Sequence, residues 1–398
     1  MMLEGVRVLD LTNVLAGPFC AYQLALLGAE VIKVETPGSG DLARQLGASP
    51  ELSARLMGAS FLAQNANKKS VTINLKSEQG REAFRRLVGT ADVLVENFRP
   101  GVMSRLGVGY EDLREANPRL VFCAISGFGQ EGPMRSAPAY DQIVQGLSGV
   151  MSITGDSDSA PLRVGYPMCD SIGGITAAFA IASALFRQSS TGEGCFIDVS
   201  MLDSTLATMG WVVSNFLIAG QDPVPMGNDN FTAAPSGAFR TGDGLLNIAA
   251  NKQDQFVALM KLIGREELVE DERFAHREDR KRNRPALTRE IEAGLKSRSA
   301  AEWESMLNSA GVPAGRVLSV PEALALDQVR GRELVEELEG FDVLGSPLHL
   351  VTAGYRLGRG ERRLHSPPPE LGQHTDEILG QVGYSAAEVA ALREASAI

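Results

Sequence analysis

Cysteine and histidine are scarce in this chain of 398 residues, which has four of each. The cysteines are Cys20, Cys123, Cys169 and Cys195, and no two of them form a C-x-x-C pair. The histidines all lie in the last third of the sequence and show no ligand spacing. This pattern argues against a disulfide scaffold and against a clustered metal site. The sequence therefore predicts free buried thiols, no metal centre and a cytoplasmic location.

Positive charge is also in short supply. The chain has 38 Lys and Arg residues against 49 Asp and Glu residues, for a formal net charge of -11. Broad nucleic-acid binding requires a basic face, so we expect no nucleic-acid partner. Any anionic ligand must be bound by a few local Lys and Arg side chains and by backbone N–H groups.

Long hydrophobic runs of the kind that cross membranes are missing. The N-terminal segment lacks a basic stretch followed by an apolar signal core. The most apolar segment, 172–186, is shorter than the roughly 18 residues that a span needs, and it is rich in Gly, Ala and Ser. We therefore expect a helix buried on all sides and no membrane partner.

Several catalytic motifs are absent as well. The sequence contains no G-x-S-x-G, H-E-x-x-H or P-loop pattern. The stretch "GFGQEG", 127–132, matches the dinucleotide pattern G-x-G-x-x-G, but Pro133 follows at once, so no helix opens where the mechanism requires one. A nicotinamide oxidoreductase or a non-catalytic nucleotide-binding protein remains only a distant alternative.

What is present is an alternation of short β-rich runs and helical segments. The runs are "VRVLDL", "VIKVE", "DVLVENF", "LVFCAIS" and "CFIDVS". Helical spacing lies between them, for example over 78–88. Such alternation predicts an α/β fold with a parallel sheet, and ligands beyond the carboxyl ends of its strands.

A change of composition divides the chain. The segment 220–230 is polar and rich in breakers, and charged amphipathic helices follow two short strands beyond it. We assign residues 220–330 to a small α+β domain, and residues 1–219 and 331–398 to a large domain with linkers. From about Gly331 onward the chain reads as irregular until a final short helix.

One charged residue stands out in the stretch "YPMCDSIGGITAAFAIASALF", where Asp170 is the only charge. An aspartate at this place is typical of a helix N-cap. Gly173 and Gly174 weaken a helix, which makes sense if another backbone or a ligand must come close. A helix N-terminus favours the ionised carboxylate, so Asp170 is also a candidate nucleophile. Both interpretations stay open on the residues alone.

Longer segments resemble a known family across essentially the whole chain. They include "VLDLTNVLAGPFCAYQLALLGAEVIKVE", "NKKSVTINLK", "LVENFRPGVMSRLGVGYEDLREANPRLVFCAISGFGQEGP", "AYDQIVQGLSGVMSITG", "DSIGG", "TGEGCFIDVSMLDS", "DERFAHREDRKRNRPAL", "GVPAGRVLSVPEAL" and "LGQHTDEILGQVGYS". Together they are similar to the family III CoA-transferases, the group that contains formyl-CoA and carnitine CoA-transferases. The resemblance implies a large Rossmann-like domain, a smaller α+β domain and an interlocked homodimer.

The resemblance also implies site residues. Asp170 is expected to be the nucleophile, acting through a mixed anhydride and an aspartyl-CoA thioester. The implied CoA contacts are Leu15, Ala16, Ile73, Lys76, Asn97, Phe98, Arg99 and Arg105, and the implied substrate contacts are Tyr140, Gly173 and Gly174. The partners would be an acyl-CoA and a carboxylic acid, with coenzyme A as a substrate and no permanently bound cofactor. Thr36 and Pro138 stand where some relatives carry basic residues.

Two choices within the family follow from single positions. The resemblance also extends to α-methylacyl-CoA racemases. These enzymes carry a histidine where this chain has Tyr140, and tyrosine is a poor base near neutral pH. This favours the transferase, with the racemase as the alternative. The segment "LLNIAANKQDQF" lacks the glycine run of formyl-CoA transferases. We therefore expect a small dicarboxylate acceptor, with succinyl-CoA as donor.

Overall fold

The structure is a computed structural model that describes residues 1–356 and 363–398. The chain forms two compact units. The larger unit contains Met1–Val150, Arg163–Gln221 and Arg332–Ile398, and the smaller contains Met151–Leu162 and Asp222–Gly331. The division drawn from composition left Met151–Leu162 in the large domain, because nothing in the sequence of this short segment separates it from its neighbours.

A six-stranded sheet is the centre of the larger unit. Its strands are β1 (Arg7–Asp10), β2 (Glu30–Glu35), β3 (Lys68–Thr72), β4 (Val93–Glu96), β5 (Val121–Ser126) and β6 (Cys195–Ser200). All neighbouring strands pair in parallel, in the order β3-β2-β1-β4-β5-β6. The expected α/β fold with a parallel sheet is confirmed. The chain reverses direction across the sheet between β1 and β4, the place where open α/β sheets bind ligands.

Helices cover both faces of this sheet. The helices up to Ala219 are α1 (Ala16–Leu26), α2 (Pro50–Ala54), α3 (Ala59–Leu62), α4 (Glu78–Val88), α5 (Val102–Arg105), α6 (Tyr110–Arg114), α7 (Asp141–Leu147), α8 (Met168–Thr191), α9 (Met201–Thr208) and α10 (Gly210–Ala219), with 3-10 turns at Leu42–Gln45 and Val150–Ile153. One core contains α1, α8 and residues such as Val8 and Val121. The other contains α4 and residues such as Leu9 and Phe122. Alternate residues of β1, β2, β4 and β5 face opposite cores, as a pleated strand requires.

Helix α8 differs from the sequence-based expectation. Its 24 residues are long and apolar enough to cross a membrane by length and composition, a test that the core helix of a soluble protein also passes. Only one stripe of α8 is buried, through residues such as Ala177, Ile181 and Leu185. Phe179 and Phe186 on the other side are exposed. The expectation of burial on all sides is therefore wrong for the single chain.

The smaller unit has a core of its own. Its antiparallel sheet has strands β7 (Ser236–Arg240), β8 (Leu245–Ala249) and β9 (Ala314–Arg316). Its helices are α11 (Gln253–Leu262), α12 (Arg277–Arg282), α13 (Arg284–Leu295), α14 (Ala300–Ser309), α15 (Val320–Leu324) and α16 (Asp327–Gly331), with a 3-10 turn at Glu266–Val269. Apolar side chains such as Phe256, Ile291 and Trp303 fill the space between sheet and helices. This is the small α+β unit that the charged helices indicated.

The chain after Gly331 is more regular than expected. Strands β10 (Val335–Val343) and β11 (Ser346–Val351) form an antiparallel hairpin, and α17 (Thr375–Gln381) and α18 (Ala386–Glu394) follow. Leu338 and Leu348 of the hairpin are buried in a cluster that also contains Tyr22 and Phe61. The expectation of an irregular segment is wrong here, because one face of the hairpin is charged and exposed and hides the strand pattern.

Candidate active site

Asp170 lies in the first turn of α8 but does not cap the helix. The N-cap position is Pro167, which offers no side-chain bond, and Asp170 is the third residue inside the helix. The capping interpretation of Asp170 is therefore wrong. Its carboxyl group therefore does not serve to cap the helix, and this favours a role in catalysis.

A second aspartate caps α8 instead. Asp141, the first residue of α7, is buried, and its Oδ1 accepts hydrogen bonds from the backbone N of Cys169 at 2.7 Å and of Asp170 at 3.4 Å. Gln145, one turn later on α7, donates through Nε2 to Asp141 Oδ2 at 2.7 Å and to the carbonyl of Tyr166 at 3.2 Å. The start of α8 and the residues just before it are thus bound to α7 by side chains 21 to 29 positions away in the sequence.

The electrostatics around Asp170 oppose its ionisation. Burial, and after it the neighbouring charge of Asp141, raises the pKa of the Asp170 carboxyl to about 7. The sequence-based expectation that the helix start holds this group firmly anionic is wrong, because Asp141 takes the helix amides and desolvation dominates. A carboxylate with such a pKa is more basic than an ordinary one, and it is still largely ionised at slightly alkaline pH.

The neighbouring thiol is less suited to act as a nucleophile. Cys169 is fully buried, and burial, Asp141 and Asp170 raise the pKa of its thiol above the ordinary value. A thiol reacts as its thiolate, so raising this pKa suppresses its reactivity near neutral pH. Of the two adjacent groups, Asp170 is the one whose ionised form is accessible.

The two glycines after Asp170 allow close packing. A Cβ atom on Gly174 would lie 2.5 Å from the carbonyl oxygen of Ala16, and one on Gly173 would lie 3.0 Å from Cγ of Met201. The idea that another backbone must come close is confirmed for Gly174, where the start of α1 is that backbone. The substrate-contact role of Gly173 and Gly174 stays a prediction.

A pocket of about 500 Å³ opens at the carboxyl ends of the sheet strands. Its lining comes from the segments after β1, β2, β3 and β4, and includes Ile73, Lys76 and Phe98. These three belong to the predicted CoA contacts, which are far apart in the sequence and which the fold brings together. Leu15 and Ala16 begin α1 directly after the turn that contributes Thr12 and Asn13 to the pocket.

The other predicted contacts are placed differently. Asn97 uses both side-chain atoms on the backbone of Asn13, at 2.8 Å each. Arg99 and Arg105 are exposed and are not among the residues that line the pocket. Tyr140 immediately precedes α7 and is 68% exposed. Their roles toward CoA and substrate stay predictions.

Sequence reasoning missed the residues that hold this site in place. Asp141 and Gln145 were present in the quoted segment "AYDQIVQG", but a buried Asp–Gln pair leaves no pattern that differs from an ordinary helix start. Lys33 and Asp41, which form a fully buried ion pair at 2.9 Å, were missed because charged residues are normally assigned to the surface. Only their position beside apolar strand residues gives a hint.

Comparison with known proteins decides the family. The sequence model of CoA-transferase family III matches residues 3–375. The chain belongs to CoA-transferase family III. This family III CoA-transferase is 38% identical to the succinyl-CoA:glutarate CoA-transferase of Mus musculus over 380 residues, which cover 96% of this chain and 86% of that protein.

Two further relatives agree with this assignment. The acetyl-CoA:oxalate CoA-transferase of Acetobacter aceti is 42% identical over 353 residues, covering 88% of this chain and 89% of that protein. The crystal structure of a CAIB/BAIF family protein from Brucella suis superimposes with a TM-score of 0.83 at 35% identity, and covers 96% of this chain and 99% of that one. The family III CoA-transferase described here is thus an enzyme, and the resemblance noted in the sequence is confirmed.

Proposed function

We propose that this enzyme transfers CoA from an acyl-CoA to a free carboxylic acid, with Asp170 as the nucleophile. The observation that carries the proposal is the state of Asp170: a lone carboxyl group at the start of α8, largely desolvated, with its pKa raised to about 7. A structural aspartate would be hydrogen-bonded or ion-paired, and its pKa would be lowered. This one is kept basic, as covalent catalysis by a carboxylate requires.

The proposed chemistry proceeds through two kinds of acyl intermediate. The Asp170 carboxylate attacks the thioester carbonyl of the donor, and the C–S bond breaks to give a mixed anhydride and CoA thiolate. The thiolate attacks the aspartyl carbonyl, releases the donor acid and leaves an aspartyl-CoA thioester. The acceptor carboxylate then attacks this thioester, forming a second anhydride and freeing the thiolate. Attack of that thiolate on the acceptor carbonyl yields the new acyl-CoA and restores Asp170.

The environment of Asp170 supports these steps. Desolvation makes the carboxylate a stronger nucleophile. The hydrogen bonds from Cys169 N and Asp170 N to Asp141 fix the helix start, so the attacking oxygen is held in one place. The buried Cys169 thiol does not compete, because its pKa is raised.

The proposed acids are small dicarboxylates, and the proposed donor is succinyl-CoA. The names of the relatives from Mus musculus and Acetobacter aceti, which refer to succinyl-CoA with glutarate and to acetyl-CoA with oxalate, support a dicarboxylate acceptor. They also favour the transferase over the racemase alternative. The test is a matrix of donors and acceptors: succinyl-CoA and acetyl-CoA, each with oxalate, malonate, succinate, glutarate and a monocarboxylate. Activity only with the monocarboxylate would refute the substrate class.

Replacing the nucleophile tests the mechanism itself. Asp170→Ala should abolish transfer while CoA affinity and thermal unfolding stay close to those of the wild type, because Asp170 caps nothing. Asp203→Ala, which changes an exposed acid in the first turn of α9, serves as the matched control and should remain active. Transfer by Asp170→Ala at near the wild-type rate would refute the proposal.

We also propose that the enzyme is an interlocked homodimer in the cytoplasm. Helix α10 has no buried residue in the single chain, although most of its side chains are apolar, and Trp211 and Ile218 are 78% and 86% exposed. Phe179 and Phe186 add to the exposed apolar surface. Surface of this kind on a soluble protein is typical of an interface. The four free cysteines support the cytoplasmic location.

A further inference from the structure

The turn between β1 and α1 contains an unusual backbone conformation. Val14 has φ +68°, and it is the only β-branched residue among the non-glycine residues with positive φ in the described part of the chain. A β-branched side chain in the left-handed region is strained and costs of order 1–3 kcal/mol. Such a conformation persists only where the surroundings impose it, and it is found disproportionately at functional sites.

Three side chains from different parts of the chain impose this conformation. Lys33 of β2 donates through Nζ to the carbonyl of Thr12 at 2.8 Å. Asn97, after β4, accepts from the backbone N of Asn13 and donates to its carbonyl, at 2.8 Å in both cases. Asp41 accepts through Oδ1 from the backbone N of Val14 at 2.9 Å. Three consecutive residues are therefore each bound by a different side chain.

These side chains are themselves fixed by buried ion pairs. Lys33 and Asp41 are fully buried and pair at 2.9 Å, and Lys68 pairs with Asp10 at 2.8 Å beside them. Burying charges costs free energy, and apolar residues of similar size usually stabilise a fold at least as well. Unlike apolar residues, an ion pair places polar atoms in defined positions. Here those atoms bind the turn.

The turn lies between the proposed CoA pocket and the helix that carries the nucleophile. Thr12, Asn13 and Asp41 line the pocket of about 500 Å³ together with three predicted CoA contacts. The carbonyl oxygen of Ala16, at the end of the turn, approaches Gly174 one turn after Asp170. One rigid segment thus reaches from the pocket to the helix that carries Asp170.

We propose that Asp41, Lys33 and Asn97 are positioning residues that hold the turn 12–16 in its strained shape, and that this shape sets the affinity for acyl-CoA. This inference rests on the proposed function. It changes the role of Asn97, whose side chain acts through the turn and does not itself bind CoA. It also assigns a function to the buried Lys33–Asp41 pair, which no catalytic step uses.

The test replaces the strained residue Val14 and keeps Lys33, Asp41 and Asn97, the three side chains that bind the turn. Val14→Gly removes the strain but widens the range of backbone conformations open to the turn, because glycine has no Cβ. Val14→Asn places there a residue that adopts the left-handed conformation readily and is less free than glycine. CoA binding is measured by isothermal titration calorimetry on the full-length protein. Val14→Gly should weaken the Kd by roughly three- to tenfold, the effect of losing about one fixed hydrogen bond, and Val14→Asn should bind nearly as the wild type does.

A matched control excludes a general effect of glycine. Leu344 also has positive φ, but it is exposed in the β10–β11 hairpin, so Leu344→Gly should leave the Kd unchanged. Equal loss in Val14→Gly and Val14→Asn would mean that the valine side chain itself contacts CoA, and would overturn the inference. A wild-type Kd in Val14→Gly would overturn it as well.

A double-mutant cycle tests Asn97. If Asn97 acts through the turn, Asn97→Ala should weaken CoA binding much less in the Val14→Gly background than in the wild type, because the turn is already mobile. If Asn97 binds CoA directly, the two effects should add, and the inference fails. In the Asn97→Ala variant, KM for acyl-CoA should rise by a larger factor than kcat falls, as expected when binding is lost. A wild-type protein that binds no CoA would refute the proposed function itself.

Discussion

At the scale of single residues, the site depends on two acids placed close together. Asp141 organises the start of α8 by accepting hydrogen bonds from Cys169 N and Asp170 N, and burial, with the added charge of Asp141, raises the pKa of Asp170. One residue thus fixes the position of the nucleophile and also keeps it basic. This arrangement costs stability, since a buried carboxylate near another carboxylate is unfavourable, and such a cost is common at active sites.

The first prediction concerns the pH dependence of the reaction. The nucleophile must be ionised, and its pKa is about 7, so the rate of the first half-reaction should be half-maximal near pH 7 and level off about one pH unit higher. Asp141→Asn keeps an oxygen for the two backbone N–H groups but removes the negative charge. The pKa of Asp170 should therefore fall, and the acidic limb of the profile of kcat/KM against pH should move to lower pH.

The control for this prediction is an exposed acid at a similar place in another helix. Asp203→Asn, in the first turn of α9, should leave the acidic limb where it is. An unchanged limb in Asp141→Asn would contradict the electrostatic role of Asp141. A limb at higher pH would show that Asp141 stabilises the ionised form of Asp170.

The sequence allowed Asp170 to be singled out but not its surroundings to be predicted. A single charged residue in an apolar segment can be recognised in the sequence, and so can a pair of glycines. The partners of Asp170, however, come from α7, and their contribution depends on distances that only the folded chain defines. For this reason the expected direction of the pKa shift of Asp170 was wrong. Lys33 and Asp41 were missed for the same reason.

At the scale of elements, the packing of α8 against α1 determines where the nucleophile lies. The carbonyl oxygen of Ala16 would be 2.5 Å from a Cβ atom on Gly174, a distance that no real structure accommodates without movement. Gly174→Ala should therefore push the two helices apart. We expect a loss of about 1–3 kcal/mol in the free energy of unfolding, together with reduced kcat.

Gly380→Ala is the matched control for this second prediction. Gly380 lies in α17, is exposed and has no atom within 4 Å of the added Cβ, so alanine should be neutral or stabilise the helix by up to about 1 kcal/mol. Urea unfolding measures both changes. A Gly174→Ala variant as stable as the wild type would contradict the close approach of α1 and α8.

The strands and helices were predicted best where the pattern is local. Strands β5 and β6 and helix α4 appear within one residue of the sequence-based limits. Strand β5 is buried throughout and reads as an apolar run, whereas β6 begins with alternating partly buried and exposed residues. Strand β3 was not recognised, since two of its five residues are lysines and Lys68 is buried only through its pairing with Asp10. The β10–β11 hairpin was missed because its charged face resembles a loop. Contacts with distant parts of the chain stabilise both: β3 pairs with β2, and the hairpin packs in the cluster that contains Tyr22 and Phe61.

At the scale of the whole molecule, the exposed apolar surface of α8 and α10 is typical of a surface that a partner covers. The exposed large apolar side chains of α8 and α10 are Ile175, Phe179, Phe186, Trp211, Phe216, Leu217 and Ile218. We propose that a second copy of the chain covers this surface, because α8 is packed along one stripe into the core of the larger unit and α10, with 10 residues, is too short to span a membrane. An interlocked dimer cannot separate without partial unfolding, and its mass should therefore not depend on concentration.

Sedimentation equilibrium in native buffer tests this third prediction. The protein should sediment as a dimer over about a hundredfold dilution, whereas an ordinary weak dimer would follow mass action and dissociate. The same measurement with detergent micelles distinguishes a lipid-covered surface, since bound detergent would increase the apparent mass. A monomer in equilibrium with dimer, or a detergent-bound monomer, would contradict the interlocked arrangement.

The central claim is that Asp170 becomes acylated, and trapping the intermediate tests it most directly. The enzyme is incubated with its acyl-CoA donor alone and then treated with hydroxylamine or borohydride, and the peptide containing "VGYPMCDSIGG" is sequenced by mass spectrometry. We predict an aspartyl hydroxamate, or after borohydride the corresponding alcohol, at Asp170, and no label in Asp170→Ala. An acyl group on Cys169, with Asp170 unmodified, would contradict the account.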